Sequence, residues 1–230
     1  MAFAFQNRPC RMSLRALAHL LRYPDADFRA HTADLAQALQ DEAALSASRL
    51  AELQALLGRL GSQPALQVES DYVELFDRGR STALHLFEHV HGDSRERGPA
   101  MIDLIQTYEQ AGLYLGPHEL PDYLPVLLEF ASTQPPAQAR EFLAEFAHIV
   151  RSIFSALRKR QSPYASVLAA VLELAGERVE TVPVVPDQTL DDSWAEPEVF
   201  GGCSTEGQAK PGQPQPIRIV KNPPTQGAQA

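Results

Sequence analysis

Cysteine is nearly missing from this 230-residue chain: only Cys10 and Cys203 occur, near opposite ends. Neither lies in a CxxC pair or at metal-ligand spacing from a histidine, so no zinc knuckle or redox dithiol can be read. A disulfide between the two ends is not expected, and the count fits a reducing compartment. Long apolar runs are missing too. Nothing approaches the roughly 18 residues of a bilayer span, and the stretch Val167 to Leu172 meets Glu173 at once. Met1 to Tyr23 carries scattered basic residues without an apolar core and small-residue cleavage site, so it does not read as a secretory signal. The cytoplasm is the expected compartment. Phosphate loops of the GxGxxG and GxxxxGK[ST] types are absent, as are alternating β-branched segments bounded by turns. Both absences disfavour the doubly wound nucleotide enzymes. Basic residues are outnumbered, with 20 Lys and Arg against 29 Asp and Glu for a formal charge of −9. Such a surface repels phosphate backbones and anionic lipid, so neither nucleic acid nor direct membrane insertion is expected. A basic partner suits it better, although acidity at this level also serves plain solubility.

What is present is helical periodicity, nearly unbroken from residue 10 to 178. Leu14, Leu17, Leu20 and Leu21 form one face that stops at Tyr23-Pro24. Phe28, Leu35 and Leu39 follow behind a cap at Asp25. The stripe Leu50, Leu53, Leu56, Leu57 and Leu60 is expected to end at Gly61 in a left-handed cap. Val73 and Phe76 share a face leading into Asp77-Arg-Gly-Arg80. Pro99 reads as the first residue of a helix carrying Ile102, Ile105 and Tyr108 inward and stopping near Gly112. Asp122 can cap a helix with Tyr123, Leu124, Leu127, Leu128 and Ala131 inward, and Pro135-Pro136 ends it. The longest stripe runs from Phe142 through Phe146, Ile149, Val150, Ile153 and Phe154 to Leu157. Ser162-Pro163 opens a last helix with Val167, Leu168, Val171 and Leu172. These elements predict an all-α, single-domain bundle of about seven or eight helices over residues 1–180.

After about Glu180 the composition changes. Residues 181–230 hold eight of the 18 prolines and are rich in Gly, Gln, Asp and Glu, which predicts a Pro-rich, acidic, flexible tail. Within it, Trp194 and Phe200 stand among carboxylates, either as a docking segment or as cover for an apolar patch of the same chain.

His85-Leu-Phe-Glu88-His89 matches the HxxEH pattern of one zinc-peptidase class. On a helix, two histidines four residues apart share a face and can reach one Zn²⁺, with Glu88 as the general base. Against this stand the commonness of the pattern, the absence of a marked third ligand beyond Glu141 and Glu145, and Gly92, which ends the helix early. The plainer reading makes His85, His89 and His91 hydrogen-bonding residues at a helix end, and no metal is assigned.

A longer context shifts the balance further towards the plainer reading, with a zinc-dependent hydrolase using HxxEH kept as the alternative. Residues 81–98, Ser-Thr-Ala-Leu-His-Leu-Phe-Glu-His-Val-His-Gly-Asp-Ser-Arg-Glu-Arg-Gly, resemble throughout the signature of the NarJ family, assembly chaperones of molybdenum-containing respiratory nitrate reductase. The resemblance extends through Asp71-Tyr72-Val-Glu-Leu-Phe-Asp77 and Ala100-Met-Ile-Asp-Leu104. It also takes in the stretch from Tyr114 to Pro125, Leu21-Arg-Tyr-Pro24 and the segment around Trp194. The wider group of redox-enzyme maturation chaperones carries a Glu-x-Pro-Asp-His hinge, matched here by Glu119, Pro121 and Asp122. Tyr123 stands in place of the His, which removes an ionisable imidazole from that position.

The resemblance implies a protein that holds rather than catalyses. Its client would be the catalytic (alpha) subunit of nitrate reductase before molybdenum cofactor insertion, bound in part through that subunit's N-terminal segment. The chaperone would keep the cofactor cavity open, delay membrane attachment, and leave. Cofactor-delivery proteins would meet it on the client. No cofactor of its own is expected, since neither a cysteine cluster nor a pterin-phosphate loop occurs. Aromatic anchors Tyr72, Phe76, Phe87, Tyr108 and Tyr123 are candidates to line a client groove, with Asp77, Glu88, His89, Asp103, Glu119, Pro121 and Asp122 around them.

Overall fold

In the computed structural model the described residues are 9–184, apart from 93 and 118. They form eleven α-helices and one 3-10 turn, with no β-strand beyond a single isolated bridge. The helices are α1 (Arg11–Leu20), α2 (Ala26–Ala30), α3 (Thr32–Glu42), α4 (Ala47–Ser62), α5 (Ala65–Phe76), α6 (Leu86–Val90) and α7 (Arg97–Gln110), then α8 (Leu124–Thr133), α9 (Pro136–Glu145), α10 (Ala147–Lys159) and α11 (Ala165–Ala175).

The all-α expectation holds, but the helices outnumber the seven or eight expected, because two apolar stripes are each cut in two and the short α6 adds one more. Phe28 and Leu35 belong to separate helices divided at His31, where the backbone leaves helical geometry. The stripe from Phe142 to Leu157 breaks at Phe146, which ends α9 and precedes α10. Pattern alone does not see such breaks, since the apolar face continues across them.

Two helices are buried almost all round. Every residue of α11 except Glu173 is buried, as is most of α8. A helix apolar on all sides belongs in the centre of a bundle. Accordingly α11 packs against α10, α9, α4 and α1, while α8 packs chiefly against α1 and α9. Each central helix lets one carboxylate out to a partner. Glu173 accepts hydrogen bonds from the Ser46 backbone N–H and hydroxyl at the start of α4, with the Arg49 Nε 3.7 Å away. Glu129 pairs with Arg22 at 3.0 Å.

Local signals fare unevenly. Asp25 caps α2 through the Phe28 N–H at 2.8 Å, as expected. Gly112 follows α7 with a left-handed φ of +79°, which favours glycine. Gly61, by contrast, lies inside α4 and not at its cap: a Cβ there would meet the Thr32 hydroxyl at 3.0 Å. Pro99 is the third residue of α7, still among the first four whose N–H groups need no intrahelical partner. Ile102, expected inward, is 55% exposed, and Leu104 takes its place in the core beside Tyr108.

Beyond α11 the chain stays tied to α10. Arg151 pairs with Glu177 at 3.0 Å, and the Val182 N–H donates to the Ser155 hydroxyl at 2.9 Å. The rest of the expected tail, including Trp194, Phe200 and Cys203, lies outside the described residues. Among the described residues no helix is long and apolar enough to cross a membrane.

Truncating the fully buried Leu168 to Ala should cost about 2–5 kcal/mol of stability, while exposed Lys159→Ala should stay within about 0.5 kcal/mol. Urea unfolding of the two variants checks the assignment of α11 to the core.

Candidate functional site

The carbonyl at the end of an α-helix has no intrahelical donor, so it must find one elsewhere. At the end of α1 the Leu21 carbonyl accepts hydrogen bonds from two distant phenols, Tyr72 at 2.8 Å and Tyr123 at 3.3 Å. Tyr72 in turn packs against Phe76, with ring centroids 4.8 Å apart, and both rings meet Tyr164 edge-on. Tyr23, which is 46% exposed, covers Tyr72 edge-on and donates its hydroxyl to Glu69 at 3.1 Å. Burial pushes the Tyr72 and Tyr123 phenols above their ordinary range, so both remain neutral donors at working pH.

The loop before α8 makes a second knot. Asp122 is 0% exposed, and it does not cap its own helix: Tyr123 occupies that position without a side-chain bond. Its Oδ2 accepts the Phe87 N–H of α6 at 3.1 Å, and its backbone carbonyl accepts the Leu86 N–H at 3.0 Å. The Leu124 N–H returns a bond to the Leu84 carbonyl at 2.9 Å, closing the antiparallel bridge between His85 and Tyr123. Arg97, at the start of α7, lies 3.7 Å from Asp122 and 3.4 Å from Glu88. At the other end of α7 the Tyr108 hydroxyl donates to the Pro121 carbonyl at 2.8 Å. Thus α7 is held at both ends to residues 121–122. Burial, with the Asp122 charge nearby, raises the Tyr108 phenol as well.

The zinc geometry does not form. His85 is extended, with φ −87° and ψ 102°, and precedes α6, so it shares no helical face with His89. Its ring stacks on Tyr123 at 5.1 Å, and its Nδ1 faces Asp122 at 3.6 Å. His89 Nε2 bonds the Ala83 carbonyl at 2.8 Å. Glu88 is engaged by Arg97. Among the described residues no three His, Cys, Asp or Glu side chains stand together as a metal site.

The candidate docking residues therefore fall into two sets. Tyr72, Phe76, Tyr108, Pro121 and Asp122 are buried and form the frame. Phe87, Glu88, His89 and Tyr123 are half-buried, and Asp77, Asp103 and Glu119 are exposed. Arg22 binds Glu129 and lies 4.0 Å from Glu119, whose carboxylate also accepts the Gly116 N–H at 3.0 Å.

Beside this junction lies a groove of about 350 Å³ between α1, α8 and residues Leu113, Tyr114, Leu115 and Glu119 of the connection between α7 and α8. Its floor includes Leu113, Leu115, Val126 and Phe130, and Tyr114 at its edge is 79% exposed. Arg11, Arg15 and His19 line the α1 side. Sequence reasoning passed over these residues, although the four-residue spacing of the three basic groups on the polar face of α1 was there to be read.

Residues 21–170 match the family model described as nitrate reductase delta subunit. The chain belongs to this family of NarJ-type assembly chaperones. It is 37% identical over 202 residues to the nitrate reductase molybdenum cofactor assembly chaperone NarJ of Escherichia coli K12, covering 86% of this chain and 84% of that one. It is 38% identical over 143 residues to the nitrate reductase-like protein NarX of Mycobacterium tuberculosis, covering 59% of this chain and 22% of that longer protein. A crystal structure described as a redox enzyme maturation protein of Archaeoglobus fulgidus shares the fold, with TM-score 0.51 and 20% identity over 73% of this chain and 94% of that one. The family span begins at Leu21, the residue on which the two phenols converge, and runs into α11. In this family member, the segments that carried the resemblance from Leu21 to Tyr123 are those that the fold ties together.

Two outcomes follow for the junction. Asp122→Ala leaves the Phe87 N–H without its acceptor and should cost about 1–3 kcal/mol in chemical denaturation, with Asp122→Asn losing less. At high pH the unfolded chain releases tyrosine protons near pH ~10, before the buried phenols do, so ionisation favours unfolding and stability should fall above that value. Tyr72→Phe should be less stable than wild type at neutral pH yet lose less between neutral and alkaline pH, as urea titrations at both would measure.

Proposed function

We propose that the chain binds the catalytic subunit of respiratory nitrate reductase before its molybdenum cofactor is inserted. It holds that subunit open for loading, delays its attachment to the membrane, and is absent from the finished enzyme. The reading rests chiefly on the 37% identity to the Escherichia coli assembly chaperone over most of both chains. The Mycobacterium tuberculosis relative supports it, because there a matching segment is one part of a longer nitrate reductase-like polypeptide. The work is done in the cytoplasm, without catalysis and without a cofactor of the chaperone's own. Delivery proteins bring the molybdenum cofactor to the client.

Physical features agree with holding. Around the half-exposed Tyr23 stand Glu69, Asp25 and Asp77, whose charges reinforce partial desolvation in raising the Tyr23 phenol. Leu120, exposed like Tyr23, and half-buried Tyr123 lie on segments bound to the same helix end. An acidic face with aromatic anchors suits a basic, amphipathic N-terminal segment of the client, which lays its apolar side on the rings and its Arg and Lys towards the carboxylates. Because the frame beneath is fixed by buried hydrogen bonds, little ordering of the chaperone is needed on binding. Release after loading requires modest affinity, around micromolar, or roughly −8 kcal/mol.

A labelled peptide of the client's N-terminal segment should bind the purified protein in this range. Charge reversal at Asp77 and Glu69 together should weaken it about tenfold, in line with two exposed ion pairs, without changing the thermal unfolding midpoint by more than a few degrees. Absence of binding to both the peptide and the apo-subunit would end this reading.

A further inference from the structure

Arg11, Arg15 and His19 recur every four residues and stand in one row along the solvent side of α1, about 6 Å apart along the axis. On a chain of net charge −9 such a row is unexpected. The two carboxylates of the same groove, Glu119 and Glu129, face Arg22, and Arg22 lies beyond the row. Among the described residues neither Arg11 nor Arg15 carries an ion pair. The row lies ahead of residues 21–170, the span that the family model matches.

Next to the row is apolar surface. Leu113, Leu115, Val126 and Phe130 form the floor, and Tyr114 stands out at the mouth. A volume near 350 Å³ is at the small end for ligand cavities and takes side chains rather than a long polymer. A cationic rail one helical turn per step, beside an apolar trough, matches a helix with carboxylates one turn apart on one side and apolar residues on the next. A phosphate backbone or anionic bilayer would use the rail but not the trough, and would be repelled by the acidic remainder of the chain.

We propose that the groove between α1 and α8 docks an acidic amphipathic helix of the unfinished catalytic subunit, with its carboxylates along Arg11 and Arg15 and its apolar side on Leu113, Leu115, Val126 and Phe130. This rests on the chaperone reading above and adds to it a second contact of opposite charge to the face around Tyr23. The two faces take different client segments, so neither competes with the other.

Fluorescence anisotropy on the full chain tests it with three kinds of probe. One is a labelled helical peptide carrying Glu at every fourth position beside a Leu stripe, the second its Lys-for-Glu counterpart, and the third a set of peptides tiled across the catalytic subunit. The Glu peptide and at least one acidic tile should bind wild type. Both should bind R11E/R15E about tenfold more weakly and R11K/R15K nearly as wild type, with circular dichroism melts unchanged. The Lys peptide should prefer R11E/R15E. The inference is overturned if the Lys peptide binds wild type as tightly as the Glu peptide, or if R11E/R15E leaves binding unaltered. It is also overturned if only phosphatidylglycerol vesicles bind, since that assigns the row to lipid, or if no tile binds, since that removes the client. Equal capture of the apo-subunit by wild type and R11E/R15E would defeat this inference while leaving the chaperone reading intact; capture by neither would defeat the reading itself.

Discussion

Much of this molecule depends on how one helix end is closed. The Leu21 carbonyl would be an unsatisfied acceptor inside the protein were it not for the phenols of Tyr72 and Tyr123, 51 and 102 residues further along the chain. Satisfying it draws α5 and the start of α8 onto the end of α1. Once Tyr123 is there, Asp122 lies buried against the N-terminus of α6, and Pro121 receives Tyr108 from α7. A backbone group that must be paired thus sets the positions of four elements, because a buried, unpaired polar group costs more than a made bond gains. Arg22, Tyr23 and Glu119 are left at the surface around a rigid base.

That arrangement explains what could be read in advance. Helix periodicity, the Asp25 cap, the Gly112 stop and the Pro135-Pro136 break are local, and each has its partner within a turn or two. The NarJ-like segments were legible as a group, and the fold brings those between Leu21 and Tyr123 to one junction. What escaped reading was nonlocal. Asp122 looks like the cap of the helix that follows it, yet its carboxylate serves an N–H 35 residues earlier. His85 and His89 look like a helical pair, yet the bridge to Tyr123 pulls His85 out into extended backbone before α6 begins. Ile102 fits the inward stripe of α7, but pinning through Arg97 and Tyr108 sets the rotation of that helix and turns Ile102 to solvent. Aromatic character alone makes Tyr72, Phe76 and Tyr108 candidate groove anchors; in the fold all three are buried, beneath the surface that Tyr23 and Tyr123 help to form.

Net charge proved a poor guide to where charge lies. A value of −9 points to one acidic surface, whereas carboxylates gather around Tyr23 and a cationic row follows α1. Two faces of opposite sign on one rigid body suit an unfolded or half-folded partner, which offers segments of both kinds. At the junction itself, most polar side chains hold backbone groups: Tyr72 and Tyr123 the Leu21 carbonyl, Tyr108 the Pro121 carbonyl, Asp122 the Phe87 N–H and His89 the Ala83 carbonyl.

A chaperone acting as proposed holds the catalytic subunit only until its cofactor is in place. Size-exclusion chromatography with mass detection, run on the chain mixed with the catalytic subunit in molybdenum-free and molybdenum-loaded forms, tests this most directly. A stoichiometric complex with the molybdenum-free subunit and separate peaks with the loaded one are expected. Equal association with both forms, or with neither, would contradict that role.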